Sequence, residues 1–357
     1  MTVVYGAAHD AGTYHVTTPG TGSFIRDGVE LIKGIGFDAV KLFLSRNYAV
    51  SDYALETTFT GAPTTLKELT QEPPMAAVLA DVTLKHFILN SFSFVNLGDT
   101  DPWKFGLRDQ PDLMVDEYDE FKELAEHLLT TYDGDAKTFV IKSWEGDWSL
   151  QGSTVIDGTQ YNARNARRED LMAAYFRARW HAIVDARAAH PTSDCQVLHA
   201  IEANRVTEAI QNRNAPRMLN RVLPRMRGMM DFVSYSAYDS VFDLSPGGTP
   251  WGASASGMLT DLNNRLPAAI DALQDAAQAR CMIGEWGLPE KELPVGYSAT
   301  DIIDAVYDVG EAKDIAYHLY WQIFDNEGTP PANRGFWLYN DAGAKTLAGN
   351  AWTTLLA

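Results

Sequence analysis

The chain has 357 residues, of which 46% are hydrophobic and 21% charged, as in an ordinary globular protein with a large core. With 47 acidic and 29 basic residues its net charge is -18, which repels nucleic acid and anionic membranes, so neither is expected as a partner. No run approaches the roughly 18 apolar residues of a membrane span. The N-terminal MTVVYGAAHDAG lacks the features of a secretory signal, which predicts a cytoplasmic chain or a secreted one with its signal removed.

Short β-rich runs recur along the chain and predict eight strands. Their apolar residues are nearly continuous rather than alternating, which is typical of parallel strands covered on both faces. The predicted strands are Val3–Tyr5, Ala39–Leu44, His86–Leu89, Thr138–Ile141, Gln196–His199, Phe232–Tyr235, Cys281–Ile283 and Ile315–Tyr320.

Helical patterns separate most of these strands. The first, Phe24–Ile35, has apolar residues at helical spacing and ends before Gly36. Two consecutive prolines at Pro73 divide Leu66–Leu79 into two short helices. The remaining predicted helices are Asp116–Tyr132, Arg168–Ala189, Ala215–Met226, Leu259–Ala279, Thr300–Val309 and Ala342–Leu355.

Strict alternation of strands and helices predicts a single (β/α)8 TIM barrel that occupies residues 1–357 as one domain. A doubly wound sheet is the rival, but it usually has fewer strands and a glycine-rich phosphate turn. Neither GxGxxG nor GxxxxGK[ST] occurs. The active face of a TIM barrel is built from the loops that follow its strands, so the residues at those positions are the candidates for chemistry.

Carboxylates, amides and tryptophans dominate the residues that follow the predicted strands. Sugars offer apolar faces that stack on aromatic rings and hydroxyls that bind amides and carboxylates, so this inventory favours a carbohydrate over a phosphate, which would call for basic residues. The positions are Ser45, Arg46, Asn47, Asn90, Ser91, Trp144, Glu145, Asp147, Trp148, His199, Glu202, Asn204, Tyr235, Tyr238, Asp239, Glu285, Trp286, Trp321, Asp325 and Asn326.

Two of these carboxylates stand out, Glu145 in KSWEGDW and Glu285 in MIGEWG. They follow the fourth and seventh strands, which lie across a barrel mouth from each other. Glycosidic cleavage needs one protonated carboxyl and one ionised carboxylate on either side of the bond. A strand-end glutamate can also cap a helix or form an ion pair. Glu202 is open between a substrate contact and a loop salt bridge, and Asp147 suits a supporting or substrate-binding position.

Metal chemistry has little support in the sequence. His9 and His199 are isolated histidines better suited to structural roles, and HxH, HExxH and CxxC motifs are absent. The two cysteines, Cys195 and Cys281, are expected to be buried free thiols. We therefore expect no metal and no cofactor.

At the candidate residues the chain resembles the clan A glycoside hydrolases, retaining (β/α)8 enzymes that include cellulases and mannanases. The stretches GIGFDAVKLFL, DFVSYSAY, MIGEWG and YHLYWQIFDNEG look like the clan's second, sixth, seventh and eighth strand segments. The resemblance implies that Glu285 is the nucleophile, Glu145 the acid/base, Tyr238 the tyrosine that orients the nucleophile, and Trp321 the platform under the cleaved sugar.

Three positions depart from the clan's pattern. Trp144 stands where an asparagine usually precedes the acid/base and contacts the sugar 2-hydroxyl, Lys41 replaces an arginine on the second strand, and Ser236 replaces a histidine. Arg46 lies a few residues after Lys41. These departures indicate an atypical member with a different sugar.

The sequence therefore predicts a retaining glycosidase that cleaves an oligo- or polysaccharide, with its two carboxyl groups about 5–5.5 Å apart. If Glu145 is not the acid, Glu202 or Asp147 could replace it. A non-catalytic carbohydrate-binding barrel, or less readily a metal-dependent hydrolase using His9 and His199, would be the alternatives; the oligomeric state stays open. The expected substrate contacts are Arg46, Lys41, Trp144, Asp147, Trp148, Glu202, Asn204, Tyr235, Trp286 and Trp321.

Overall fold

A computed structural model describes residues 2–94, 111–151, 163–242 and 250–357. Its eight strands form a closed barrel in chain order, and every neighbouring pair is parallel, which confirms the predicted (β/α)8 fold. The strands are β1 (Val4–Ala8), β2 (Ala39–Leu44), β3 (His86–Ser91), β4 (Thr138–Lys142), β5 (Gln196–Ala203), β6 (Phe232–Ser236), β7 (Arg280–Trp286) and β8 (Tyr317–Tyr320).

Helices surround the barrel and pack on its outer face. None of those in the described ranges is long and apolar enough to cross a membrane. They are α1 (Phe24–Ile35), α2 (Leu66–Gln71), α3 (Pro73–Leu79), α4 (Pro111–Thr131), α5 (Gly146–Gln151), α6 (Ala163–Ala189), α7 (Val206–Gln211), α8 (Tyr238–Val241), α9 (Ala255–Ala277), α10 (Ala299–Ala312) and α11 (Leu347–Leu355), with short π- and 3-10 turns at Tyr48–Asp52, Met218–Val222, Leu223–Met226 and Glu290–Glu292.

The barrel interior changes from apolar to ionic along the strands. Successive strand residues point to opposite faces, so every second residue points inward. Small and aliphatic inward side chains, Ala39, Ile88, Val140, Ala200, Met282 and Leu319, form one buried cluster. Two residues further along β2, β4 and β5 come Lys41, Lys142 and Glu202, all fully buried. The fold therefore places fixed charges directly beneath the barrel mouth.

Two segments differ from the sequence prediction. Residues 215–226 do not form one helix, because Met218–Val222 is a π-turn followed by the 3-10 turn Leu223–Met226. The last helix begins only at Leu347, where the Thr346 hydroxyl accepts a hydrogen bond from the Gly349 amide. Strands β5 and β7 continue beyond their predicted ends, which draws Glu202 and Glu285 into the sheet.

Candidate active site

Glu145 lies in the tight turn between β4 and α5, where its φ is 29°. Its backbone amide donates a hydrogen bond to Glu202 Oε1 at 3.1 Å. A Cβ at Gly146 would lie 2.9 Å from both the Glu202 carbonyl oxygen and Met218 Cε. Only glycine fits this approach, so the glycine of KSWEGDW holds the glutamate against β5.

The Glu145 carboxyl is held by two neutral donors. Ser236 Oγ is 2.5 Å from Oε1, and the Trp148 indole donates to Oε2 at 2.6 Å. Burial and then the charge of Glu285 raise the pKa of Glu145 to about 8, so this carboxyl is protonated at neutral pH. An indole nitrogen can only donate, whereas a hydroxyl can also accept. When the carboxyl is protonated, the proton therefore lies on Oε1 and the Ser236 hydroxyl accepts it, whereas Ser236 donates to the ionised carboxylate.

Glu285 on β7 has a cation as its partner. Lys41 Nζ lies 2.5 Å from Glu285 Oε2 and 3.0 Å from the Gly284 carbonyl oxygen. The Trp144 indole donates to the same Oε2 at 3.2 Å. Burial raises the pKa of Glu285, and the Lys41 ammonium opposes that effect. The two glutamates are thus differentiated by their neighbours: the negative charge is favoured on Glu285 and the proton on Glu145.

A buried ion pair supports both glutamates from below. Lys142 Nζ lies 2.7 Å from Glu202 Oε2, and both side chains are fully buried. The Ser234 hydroxyl donates to the same oxygen at 2.7 Å. Burial lowers the pKa of Lys142 to about 8. A Cβ at Gly284 would lie 1.9 Å from Ser234 Oγ and 2.5 Å from Glu202 Oε2, so the glycine of MIGEWG leaves room for this cluster.

Two cavities open at the barrel mouth and share Glu145, Tyr238 and Glu327. The Glu285 cavity has a volume of about 420 Å³ and is lined by Asp10, Ala11, Phe43, Ser51, Asp52, Trp144, Glu145, Tyr238, Glu285, Trp321, Asn326 and Glu327. The Trp148 cavity, of about 610 Å³, is lined by Glu145, Trp148, Asn204, Arg205, Thr207, Glu208, Gln211, Tyr238, Asp239, Phe242, Pro250, Trp251, Pro289, Glu292, Glu327, Arg334 and Phe336. Glu145 thus stands at their boundary.

Several predicted site residues meet at these cavities. Trp144 and Trp321 line the Glu285 cavity, and Lys41 lies beneath it with Nζ 5.3 Å from the Trp321 ring centroid. Trp148, which is 46% exposed, and Asn204 line the Trp148 cavity. Tyr238 lines both cavities, and burial together with the charges of Glu285 and Glu145 raises its pKa. Its hydroxyl is therefore neutral beside the carboxyl pair.

Glu202 and Asp147, the two alternative acids, do not line either cavity. Glu202 is fully buried on β5 and serves the ion pair below the mouth. Asp147 is buried and accepts hydrogen bonds from the Asn204 amide at 3.0 Å and the Met218 amide at 2.7 Å. Both carboxylates organise the backbone around Glu145, which agrees with the salt bridge left open for Glu202 and the supporting position left open for Asp147.

Three further predicted contacts lie outside the two cavities. Trp286 points to the outer face of the barrel, because side chains alternate along a strand and its neighbour Glu285 points inward. There Trp286 is fully buried, and its indole donates to His318 Nε2 at 2.6 Å. Tyr235 is also fully buried, and its hydroxyl is 2.5 Å from Asp239 Oδ1. Arg46 is exposed. The structure therefore does not bring these side chains to the site.

Other cavity residues are missing from the sequence prediction. Asp10 lies two residues after β1 and Asp52 ends the π-turn after β2; both line the Glu285 cavity. Arg205 and Arg334 line the Trp148 cavity. The sequence pattern could have identified Asp10, because it follows the first strand just as the named candidates follow the other strands.

The two histidines weighed as metal ligands are packed as core residues. His9 is fully buried, with its ring centroid 4.7 Å from that of Phe24, and His199 lies 6.2 Å from Trp180. Burial lowers the pKa of His9 to about 4. Within the described ranges, no group of three or more His, Cys, Asp or Glu side chains could hold a metal ion.

Comparison with known proteins gives structural matches only. No protein-family model and no curated protein sequence matches the chain. An exo-β-1,4-mannosidase from Opitutaceae bacterium strain TAV5 matches 99% of this chain with TM-score 0.61 and 12% identity, and the chain spans 59% of that protein's length. A GH5_18 protein from Bifidobacterium longum subsp. infantis matches 100% of the chain and 79% of its own, with TM-score 0.61 and 14% identity.

A GH5_18 variant from Streptomyces cattleya, solved in complex with Manβ1-4GlcNAc, matches 99% of this chain and 80% of its own, with TM-score 0.59 and 15% identity. The structural neighbours of the chain are thus glycoside hydrolases with the same barrel. At identities this low, the likeness shows that the chain has the (β/α)8 fold that these glycoside hydrolases share.

Proposed function

We propose that this protein is a glycoside hydrolase that cleaves an oligo- or polysaccharide with retention of configuration, using Glu285 as nucleophile and Glu145 as acid/base. One observation carries the proposal. Two buried carboxyls that line one cavity have opposite partners, a lysine ammonium for Glu285 and neutral donors for Glu145. This division of roles is what glycosidic cleavage by two carboxyl groups needs.

The geometry supports a two-step reaction. Lys41 and Trp144 both bind Glu285 Oε2, so Oε1 is the oxygen that attacks the anomeric carbon. Glu145 gives its proton to the leaving oxygen, and a glycosyl–Glu285 ester forms. Glu145 then takes a proton from water, which attacks the anomeric carbon and releases Glu285. Tyr238, which lines both cavities, is assigned to orient the nucleophile, while Trp321 supports the transferred sugar and Trp148 the leaving group.

Glu145 lies at the boundary of the two cavities, and the general acid acts at the cleaved bond, so each cavity should hold one side of that bond. The transferred sugar occupies the Glu285 cavity, and the leaving group occupies the Trp148 cavity. Trp144 provides the indole donor to Glu285 in place of the asparagine expected at that position. The mannosidase and the Manβ1-4GlcNAc complex among the structural neighbours make β-mannosides the first substrates to test.

A panel of aryl β-glycosides and of defined oligosaccharides tests the proposed function directly. We expect turnover of at least one substrate, and proton NMR of the first product should show the anomeric configuration of the substrate. Inversion of configuration would contradict the nucleophilic role of Glu285. Sugar binding by calorimetry without turnover across the panel would favour the alternative, a non-catalytic carbohydrate-binding barrel.

The pH profile of kcat/KM tests the acid role of Glu145. The general acid must be protonated, and the pKa of Glu145 is raised to about 8, so kcat/KM should fall about tenfold per pH unit above that value. Glu145→Gln should lose this alkaline limb with 2,4-dinitrophenyl glycosides, whose leaving group needs no proton. An unchanged alkaline limb in the variant would assign it to another group.

A further inference from the structure

Asp10 has an unsatisfied carboxyl oxygen at the Glu285 cavity. The side chain is only 9% exposed, and Oδ1 has no hydrogen-bond partner within the described structure. Its backbone amide donates to Gln322 Oε1 at 3.3 Å, which fixes the residue in place. Asn326, on the same cavity, likewise has a buried Oδ1 without a partner. Buried polar atoms in proteins are almost always hydrogen-bonded, so two unpartnered acceptors at one cavity indicate a missing donor.

Asp27, a buried carboxylate in the same part of the chain, differs from Asp10 in having partners for both of its oxygens. Asp27 is fully buried, but the Thr21 amide donates to its Oδ1 at 2.7 Å and His15 Nε2 lies 3.0 Å from its Oδ2. Asp27 therefore serves the loop that precedes α1. Asp10 has no such partner for Oδ1, although it is nearly as deeply buried.

Asp52 provides a second carboxyl at this cavity. The Ser45 hydroxyl donates to Asp52 Oδ2 at 2.6 Å, and the Ser51 hydroxyl donates to Oδ1 at 2.8 Å. These contacts hold the carboxyl at the end of the π-turn. Burial and the charge of Asp52 raise the pKa of Asp10, which favours the neutral form of this carboxyl, and a neutral carboxyl can both donate and accept a hydrogen bond.

We propose that Asp10 and Asp52, with Asn326 beside them, bind hydroxyl groups of the transferred sugar that are remote from the cleaved bond. The proposal rests on the proposed function, because it takes the Glu285 cavity as the site of the transferred sugar. A neutral hydroxyl suits the site better than the ammonium of an amino sugar, because the Lys41 ammonium already lies beneath the cavity. The pair thus selects sugars whose remote hydroxyls are unsubstituted.

Asp10→Ala, Asp10→Asn and a series of deoxy glycosides test this assignment. With a fully hydroxylated aryl glycoside, Asp10→Ala should lower kcat/KM by about ten- to a hundredfold, while Asp10→Asn, which keeps a donor and an acceptor, should stay within a few-fold of wild type. The deoxy glycoside that lacks the bound hydroxyl should be a poor substrate of wild type, and Asp10→Ala should cause little further loss with it. Equal losses on all substrates would overturn the proposal.

Thermal unfolding separates binding from a structural role. Removing an unsatisfied buried carboxyl should leave the Tm of Asp10→Ala equal to or above that of wild type, whereas Asp27→Ala, the matched control, should lower it. A Tm loss in Asp10→Ala as large as that control's would overturn the proposal. So would turnover of an aryl glucosaminide more efficient than turnover of its hydroxyl counterpart.

Calorimetry with the Glu285→Gln variant makes the test independent of turnover. Free monosaccharides and their deoxy analogues serve as probes, and binding should weaken on Asp10→Ala only for sugars that retain the bound hydroxyl. This binding pattern without any turnover in wild type would refute the proposed function and leave the hydroxyl site standing. Turnover with no dependence on Asp10 would refute the hydroxyl site alone, and failure of every monosaccharide to bind would refute it as well.

Discussion

Glu285→Gln should reduce turnover of any substrate on the order of 10⁴-fold or more, because the glycosyl ester can no longer form. Glutamine keeps an oxygen near Lys41 and Trp144 but removes the charge that partners the buried Lys41 ammonium, so circular dichroism must show that the variant is folded before turnover is compared. In Glu285→Ala, azide can attack the anomeric carbon from the vacated side as the leaving group departs. The product should be a glycosyl azide of inverted configuration, identified by NMR.

The same reagent distinguishes the two glutamates. In Glu145→Ala, azide should intercept the glycosyl–Glu285 ester and give a glycosyl azide of retained configuration from an activated aryl glycoside. Glu123→Gln is the matched control, because Glu123 forms an exposed ion pair with Lys67 and should keep wild-type activity. Substantial activity in Glu285→Gln, or the reverse pattern of azide products, would exclude the assigned roles.

Glu202→Gln should destabilise the protein by about 3–5 kcal/mol, because it leaves the buried Lys142 ammonium without its partner. Both side chains are fully buried, and their charged atoms lie 2.7 Å apart. Urea unfolding followed by tryptophan fluorescence measures the free energy of unfolding. Activity should fall as well, because glutamine has one acceptor oxygen where the two oxygens of Glu202 accept from the Glu145 amide, Lys142 and Ser234.

The loss of stability in Glu202→Gln should depend on pH in a definite direction. Burial lowers the pKa of Lys142 to about 8, well below its value in an unfolded chain, and removing Glu202 lowers it further. The unfolded state then binds more protons than the folded state, so stability rises with pH and the deficit should shrink between pH 7 and pH 9. Glu202→Gln combined with Lys142→Met should recover part of the loss. Glu123→Gln should change stability by about 0–1 kcal/mol, and a similarly small effect of Glu202→Gln would contradict the ion-pair role.

The strand pattern alone predicted the barrel, because each strand is a short apolar run and each run precedes a helix. It also placed Glu145 and Glu285 at one mouth, because residues that end parallel strands meet at one face. The orientation of Trp286 was predictable too. Alternation along a strand puts Glu285 and Trp286 on opposite faces, so a glutamate that points into the barrel excludes its neighbour from the cavity.

Other features of the site depend on contacts that no local pattern encodes. The partners of Asp147 lie 57 and 71 residues away in the chain, so its binding to backbone amides appears only once the barrel closes. Glu202 was expected in a loop because the apolar run of β5 ends before it; Lys142 and Ser234 make burial of that charge tolerable inside the sheet. The raised pKa of Glu145 likewise depends on its burial and on Glu285 across the barrel.

The attachment of Asp147 to the backbone amides of Asn204, Arg205 and Met218 has a consequence for engineering. The segment from Val206 to Gln211 borders the Trp148 cavity, and both of its flanks are tied to the residue two positions after Glu145. Grafts that alter leaving-group preference can exchange this segment if they keep Asp147 and its three amide donors. A graft that replaced Asp147 or the residues whose amides bind it would also move Glu145. Leaving-group selectivity and the rate of cleavage would then change together.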